Sequence, residues 1–299
     1  MSRRRAAPRS PPGGRQPDDL VFAPVLVLLP PSERKLPAPS RRGSAPVDLG
    51  SLTWPELAPA RERVLEAAAA LAQDPAAVGA GPSLAEEVAR NGRWRTEPAQ
   101  PASRVFTGVL FEALDLPSLP RSAARRAAEQ VLVVSAAYGA LAPDDAVPAH
   151  RLSMGTDLPG VGPLAALWRE HLTPLLEHRA AEPGQVVLDC RSAAYAAAWR
   201  PSRAVAERVV AVRVFREVQG PEGPVRSVVS HDAKRTRGEL ARHLLLRRRR
   251  EPDSPEALAA AAAEAFDVEL SPAAPGRARH LDVVLRRAAG SAVTDGSAA

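Results

Sequence analysis

Six short runs of branched aliphatic residues limit what this chain can fold into: VLVLLP (25–30), VLVVSAAYG (131–139), VVLDC (186–190), VVAVRVFREV (209–218), VRSVVSH (225–231) and LDVVLR (281–286). Runs this short, stopped by proline, glycine or polar residues, read as strands rather than helices. The fourth and fifth flank QGPEGP, a hairpin signal with a longer loop. Between the runs lie segments rich in alanine, leucine and glutamate, which predict helices over 54–73, 83–90, 121–130, 164–176 and 255–266, with others starting after Gly108 and near Asp232. Strands and helices intermix without a regular βαβ rhythm. The expected class is therefore α+β, a mixed sheet with surrounding helices. A chain of 299 residues can close one core of this kind, expected over 21–288, between disordered tails at 1–20 and 289–299.

The cations are unevenly chosen. The chain has 38 arginines and two lysines, Lys35 and Lys234, and a net charge of +6. Arginine and alanine richness reads as coding bias, which makes the two lysines the informative exceptions. An ammonium is compact and can lose its proton on burial, whereas a guanidinium is broad and permanently charged. Two lysines in such a chain point to two positions that require the smaller group. The positive charge favours anionic partners, DNA or a nucleotide or other phosphate-bearing ligand. Part of it is local, in Arg3, Arg4, Arg5 and Arg9 of the tail and in the RRRR run at 247–250.

Several function classes are excluded. One cysteine, Cys190, allows no internal disulfide and suits a reducing cytoplasm. The six histidines lack zinc or haem spacing, so neither a metal nor another cofactor is expected. No apolar run reaches about 18 residues, so a soluble cytoplasmic protein without a membrane partner is expected. Ser135 lacks the glycine frame of a nucleophile elbow. Asp144 and Asp145 sit in a proline-bounded loop and read as a turn rather than a catalytic pair.

SHDAKRTRGEL (230–240) opens a helix, with Ser230 or Asp232 as N-cap and Ala233, Leu240, Ala241, Leu244 and Leu245 as its apolar face. Lys234, Arg235 and Arg237 then fall in the first turns, where each cation is disfavoured by about 0.3–1 kcal/mol unless an anion is held there. These three are the candidate anion site. Asp232 and Glu239 offer the competing explanation, a balanced solvated face.

Two GxG stretches could approach a phosphate backbone. Val78, Gly79, Ala80 and Gly81 lie between two expected helices, a helix-hairpin-helix-like insert at about 60–92, with Arg90 and Arg93 beyond it. Backbone N–H groups at such a turn give affinity without reading bases. In TDLPGVGPLAALWREHL no helix can precede Leu158, so that stretch reads as a connector into the helix bearing Trp168.

The segments PPSERK, RVFTGVLFEALD, LVVSAAYGALAPDDAVPAHRLSMG, DCRSAAY and SHDAKRTRGELAR occur in the order and spacing of the YaaA peroxide-stress family, which the chain resembles over roughly 25–287. The resemblance implies a cytoplasmic bacterial protein that limits oxidative damage, is linked to lower intracellular iron, and binds DNA through a helix-hairpin-helix set in an unusual α+β fold. Its motif positions fall on Ser32, Lys35, Thr107, Gly108, Ser135, Tyr138, Gly139, Arg151, Gly155, Ser192, Tyr195, Lys234, Arg237 and Gly238. Both lysines are among them, so a shared polar cleft is expected. Asp189 and Ala194 depart from the asparagine and glutamate that the family favours. Two functions follow as expectations: a DNA-binding peroxide-stress protein with little sequence preference, or an enzyme acting on a nucleotide, nucleobase or DNA base through Lys35 and Lys234. An iron-handling role lacks a ligand cluster.

Overall fold

The computed structural model describes residues 25–39, 45–220 and 223–286. The two expected tails, including the arginines of the first, lie outside the described residues. The aliphatic runs supply six strands of an eight-stranded sheet, which consists of β1 (Leu26–Leu29), β2 (Val131–Ser135), β3 (Gly139–Leu141), β4 (Val187–Asp189), β5 (Val209–Gly220), β6 (Gly223–Val228), β7 (Val268–Leu270) and β8 (Arg279–Arg286). The helices are α1 (Ala58–Ala70), α2 (Ala85–Ala89), α3 (Ala102–Val105), α4 (Val109–Leu114), α5 (Arg121–Gln130), α6 (Leu164–Ala181), α7 (Ala193–Ala196), α8 (Ser230–Leu246) and α9 (Pro255–Ala263). The architecture is α+β with a mixed sheet. Among the described residues, no helix is long and apolar enough to cross a membrane.

Strand order is β7-β8-β5-β4-β1-β2-β3, with β6 beside β5. The five central strands, β8, β5, β4, β1 and β2, run parallel, while β3, β6 and β7 are antiparallel additions. Val27 faces Val131 on one side and Leu188 on the other. Residues 26–29 are fully buried, as expected of parallel strands covered on both faces. From β1 the chain moves to β2 on one side, and from β4, on the other side of β1, it moves on to β5. The connections leaving the carboxyl ends of β1 and β4 therefore part in opposite directions. Such a reversal opens a crevice at those strand ends.

Two buried polar groups fix the turns around this core. Arg61, which is fully buried, donates to the carbonyls of Tyr138 (2.9 Å), Ala140 (3.0 Å), Thr53 (2.5 Å) and Trp54 (3.2 Å). Burial lowers its pKa to about 10, partly offset by Asp145. Asp145 accepts from the amides of Thr53 and Ala142 at 2.9 and 2.8 Å, which gives the proline-bounded loop a structural role. Gly139 has φ +75, and a Cβ there would lie 2.6 Å from the Trp168 ring, whose Nε1 donates to Ala136 O at 2.7 Å.

The helix over SHDAKRTRGEL starts at Ser230, one turn boundary earlier than an Asp232 cap would set it. Its N-cap is Val229, with no side-chain cap hydrogen bond. Asp232 is drawn instead to Arg216. The expected apolar face is buried, from Ala233 to Leu245. Arg247 and Arg249 of the RRRR run pair with Glu264, and Arg250 pairs with Asp253.

What flanks the Gly79 turn is not a pair of long helices. α1 ends at Ala70, short of the expected Gln73, and the chain turns through 71–73 before Asp74-Pro75, where helical backbone is disfavoured. Single 3-10 turns, Ala76–Val78 and Pro82–Leu84, then lie on either side of the glycines, and α2 has five residues.

Candidate functional site

The crevice at the ends of β1 and β4 is a cleft of about 530 Å³. The loop after β1 brings Ser32, Arg34 and Lys35 to it, and the loop after β4 brings Ser192 and Tyr195. The turn into α4 adds Thr107 and Gly108, the segment after β3 adds Arg151, and α8 adds Lys234 and Arg237. Val78 and Gly79 of the glycine turn also line it. Of the ten motif positions with polar side chains, eight meet here and Ser135 and Tyr138 do not. Both lysines of the chain are present.

Lys35 is held from several sides. It forms an isolated antiparallel bridge with Phe106, and Leu36 N donates to Val105 O at 2.8 Å. Ser32 Oγ accepts from Thr107 N at 3.0 Å and itself donates to Arg34 O, so the loop is closed on the turn into α4. The Lys35 Nζ donates to the carbonyls of Ser32 (2.8 Å) and Glu33 (3.4 Å) and stands 5.8 Å from the Phe106 ring centre. Burial, then the nearby Arg151 cation, lowers its pKa to about 7, against the opposing pull of Glu87 and Glu33. Near neutral pH this amine is therefore divided between its two protonation states.

Arg151 is positioned by a residue that sequence reading passed over. Asn91, 4% exposed, donates from Nδ2 to Arg151 O at 2.8 Å and accepts from Arg151 N at 2.9 Å. The guanidinium then reaches Glu33 O at 2.9 Å and Glu87 at 3.5 Å. The signal available in the sequence was a lone asparagine inside the helical stretch VARNGRW, next to a glycine. The loop bearing Ser192 and Tyr195 has a comparable anchor. Asp189 takes Arg191 in a two-pronged pair, Nε at 2.8 Å and Nη2 at 2.7 Å, and Arg191 also donates to Trp199 O at 3.1 Å. The aspartate that departs from the family pattern is thus neutralised in place. Burial pushes the Tyr195 hydroxyl up to about 12, opposed by a hydrogen bond with the Met154 backbone.

On α8, Arg237 Nη2 donates to Val212 O at 3.0 Å, while its buried Nε has no partner. Arg235 turns away to Glu239 at 2.8 Å and does not line the cleft. The competing explanation from the sequence therefore holds for Arg235 alone. Ser135 and Tyr138 are buried at the end of β2, one strand over from the cleft. The Ser135 Oγ accepts from Ala137 N, and the Tyr138 ring meets His150 edge-on with centroids 5.0 Å apart. Burial raises the Tyr138 pKa and lowers that of His150 to about 3. At the glycine turn, Ala80 is buried and Gly81 exposed. Arg90 pairs with Glu97, and Arg93 pairs with Glu97 and Glu86.

The lining carries five basic side chains, Arg34, Lys35, Arg151, Lys234 and Arg237, against one carboxylate, Glu33. An excess of basic side chains within a concave, partly desolvated site suits an anion of several oxygens, such as a phosphate. Among the described residues no cluster of three histidine, cysteine, aspartate or glutamate side chains is arranged to hold a metal ion.

Comparison with known proteins agrees on one family. The family model described as peroxide stress protein YaaA matches residues 25–271. A UPF0246 protein of Streptomyces coelicolor is 44% identical over 268 residues, covering 87% of this chain and 98% of its own length. A UPF0246 protein of Corynebacterium glutamicum is 34% identical, covering 83% of this chain and 96% of its own length, and one of Corynebacterium efficiens is 36% identical, covering 74% and 84%.

Proposed function

The chain belongs to the peroxide stress protein YaaA family, and from that premise we propose that it is a cytoplasmic protein of the peroxide response that binds DNA with little sequence preference and so limits oxidative damage. We further propose that the glycine turn and the lysine cleft act as one site. The observation that carries this reading is that Val78 and Gly79 line the same cleft as Lys35, Arg151, Lys234 and Arg237. Backbone N–H groups at the turn and cations across the cleft then address one stretch of sugar-phosphate backbone. Arg90 and Arg93 belong to the supporting frame, since carboxylates hold their guanidinium groups.

The test is binding of the purified protein to duplex, bubble and single-stranded DNA across a salt series. Affinity is expected to fall steeply with salt, because each neutralised phosphate releases counterions. Gly79→Asp and Lys234→Met are both expected to weaken binding. Salt-insensitive binding, or none, would sink the DNA reading.

A second reading is favoured by Lys35. An amine with its pKa near 7 inside a cationic cleft of about 530 Å³ is more than passive backbone binding requires. It suits an enzyme acting on a nucleotide, a nucleobase or a base within DNA.

A further inference from the structure

The choice of lysine at position 35 has a chemical consequence. Arginine would serve a phosphate at least as well, and 38 of the 40 basic Lys and Arg residues in this chain are arginine. What arginine cannot do is present a neutral primary amine. Three features of the structure suit position 35 to that task. First, the Nζ forms no ion pair with a carboxylate within 4 Å among the described residues, and its hydrogen-bond partners are the two carbonyls of Ser32 and Glu33. A neutral amine has two N–H donors and one lone pair, so two acceptors use its donors without claiming that pair. Second, the amine stands beside Arg151, whose cation penalises a further positive charge, in a cleft where Arg34, Arg151, Lys234 and Arg237 can hold a substrate's negative one. Third, Phe106 and the loop closed by Thr107 desolvate it.

We propose that Lys35 forms an imine with the aldehyde of a phosphorylated sugar held in this cleft, the surrounding cations binding the phosphate. In this step the amine lone pair adds to the aldehyde carbon, and the carbonyl electron pair moves to oxygen, which takes a proton. The resulting carbinolamine loses water. The balance is aldehyde plus amine plus one proton giving a protonated imine and water, with no oxidant or reductant. The lowered pKa of Lys35 supports the step, since near pH 7 a substantial fraction of the amine is free to attack. Lys234, exposed on α8, belongs to the phosphate contacts. The same aldehyde chemistry has two sources, the ring-opened sugar of an abasic site in DNA and a free aldose phosphate. The inference rests on the reading of the cleft as a phosphate-binding site and is separable from the DNA part of that reading.

The experiment is reductive trapping on the full-length protein. Cyanoborohydride is added with a duplex bearing one abasic site, with the same duplex intact, with ribose 5-phosphate, or with ribose, and adducts are located by intact mass and peptide mapping. Binding of the intact duplex is measured in parallel. The expected result is one adduct per chain at Lys35 from a phosphorylated aldehyde, formed at least tenfold faster than with ribose and lost in Lys35→Arg. Mapping on the unaltered chain assigns the residue whether or not that variant folds. Trapping by the abasic duplex alone identifies DNA as the source, and trapping by ribose 5-phosphate alone identifies a free metabolite; either supports the inference. Intact duplex bound with no adduct from either phosphorylated aldehyde overturns the inference and leaves the DNA reading standing. Adduct at Lys35 from ribose 5-phosphate without duplex binding does the reverse. Adduct spread over Lys234 and the N-terminal amine also overturns it.

Discussion

Replacing Gly238 by alanine separates two physical effects of opposite sign. Gly238 lies inside α8, and in a helix interior alanine is favoured over glycine by roughly 1 kcal/mol. On propensity alone Gly238→Ala stabilises. At this position, however, a Cβ would lie 3.0 Å from Ala113 Cβ and from the carbonyl carbon of Leu110, and closer still to the Leu110 oxygen. Carbon atoms in contact normally stand about 3.5–4.0 Å apart, so α8 must move from α4 by at least about 0.5 Å. Overpacking of a rigid core costs typically 1–3 kcal/mol, and here the obstruction is backbone, which yields least. The expected net effect is a loss of about 2 kcal/mol after the propensity gain is subtracted. For a chain of this size that corresponds to a fall in Tm of roughly 4–8 °C. Because α8 carries Lys234 and Arg237 while Thr107 and Gly108 lead into α4, the same displacement widens the cleft, and DNA affinity is expected to fall as well. Thermal and urea unfolding followed by circular dichroism measure the first effect, and a DNA titration at fixed salt the second. A variant as stable as the parent, or more so, would refute the close approach of α4 and α8 on which the cleft geometry depends.

Three further outcomes follow from the same structure. Asn91→Ala leaves the part-buried amide and carbonyl of Arg151 without their side-chain partner and is expected to cost about 2–6 kcal/mol in urea unfolding, at about 1–3 kcal/mol per orphaned group, with weakened DNA binding because Arg151 loses its anchor. Arg191→Met strands the Asp189 carboxylate and is expected to cost roughly 3–5 kcal/mol, part of which the double variant Asp189→Asn/Arg191→Met recovers. For Lys35 the folded pKa is depressed, so between pH 7 and about 10 the unfolded chain binds more protons than the folded one. The stability of the parent relative to Lys35→Met therefore rises with pH across that window, by less than the ~1.4 kcal/mol per pH unit of a full proton, and is flat below it. A difference falling with pH in that window would contradict the lowered pKa of this half-buried amine.

The parts of the fold that were legible in the sequence are those fixed by local pattern. Branched aliphatic runs located β1, β2, β4, β5, β6 and β8, and the segment 121–130 gave α5. What local pattern does not encode is which strands pair. The parallel order β8-β5-β4-β1-β2 depends on contacts between residues as distant as Leu26 and Val187. It is this order that opens the cleft. The short β7 has only three residues and no alternation long enough to detect. At the site, residues in loops leaving strand ends were legible, because loop chemistry has few structural explanations there. Ser135 and Tyr138 misled because they sit at a strand end whose turn is closed by the core residues Trp168 and Arg61. Asn91 was missed because its partner is a backbone 60 residues away. Gly238 carries no φ signal, and its reason is another helix.

The central claim is that the glycine turn and the lysine cleft form one site for a phosphate-bearing strand. It is tested most directly by a double-mutant cycle on duplex DNA affinity with Gly79→Asp, Lys234→Met and the combined variant. One site predicts coupling of about 0.5–3 kcal/mol, the second substitution costing less once the first is present. Additive effects, or a loss confined to the Gly79 variant, would contradict it and separate the turn from the cleft.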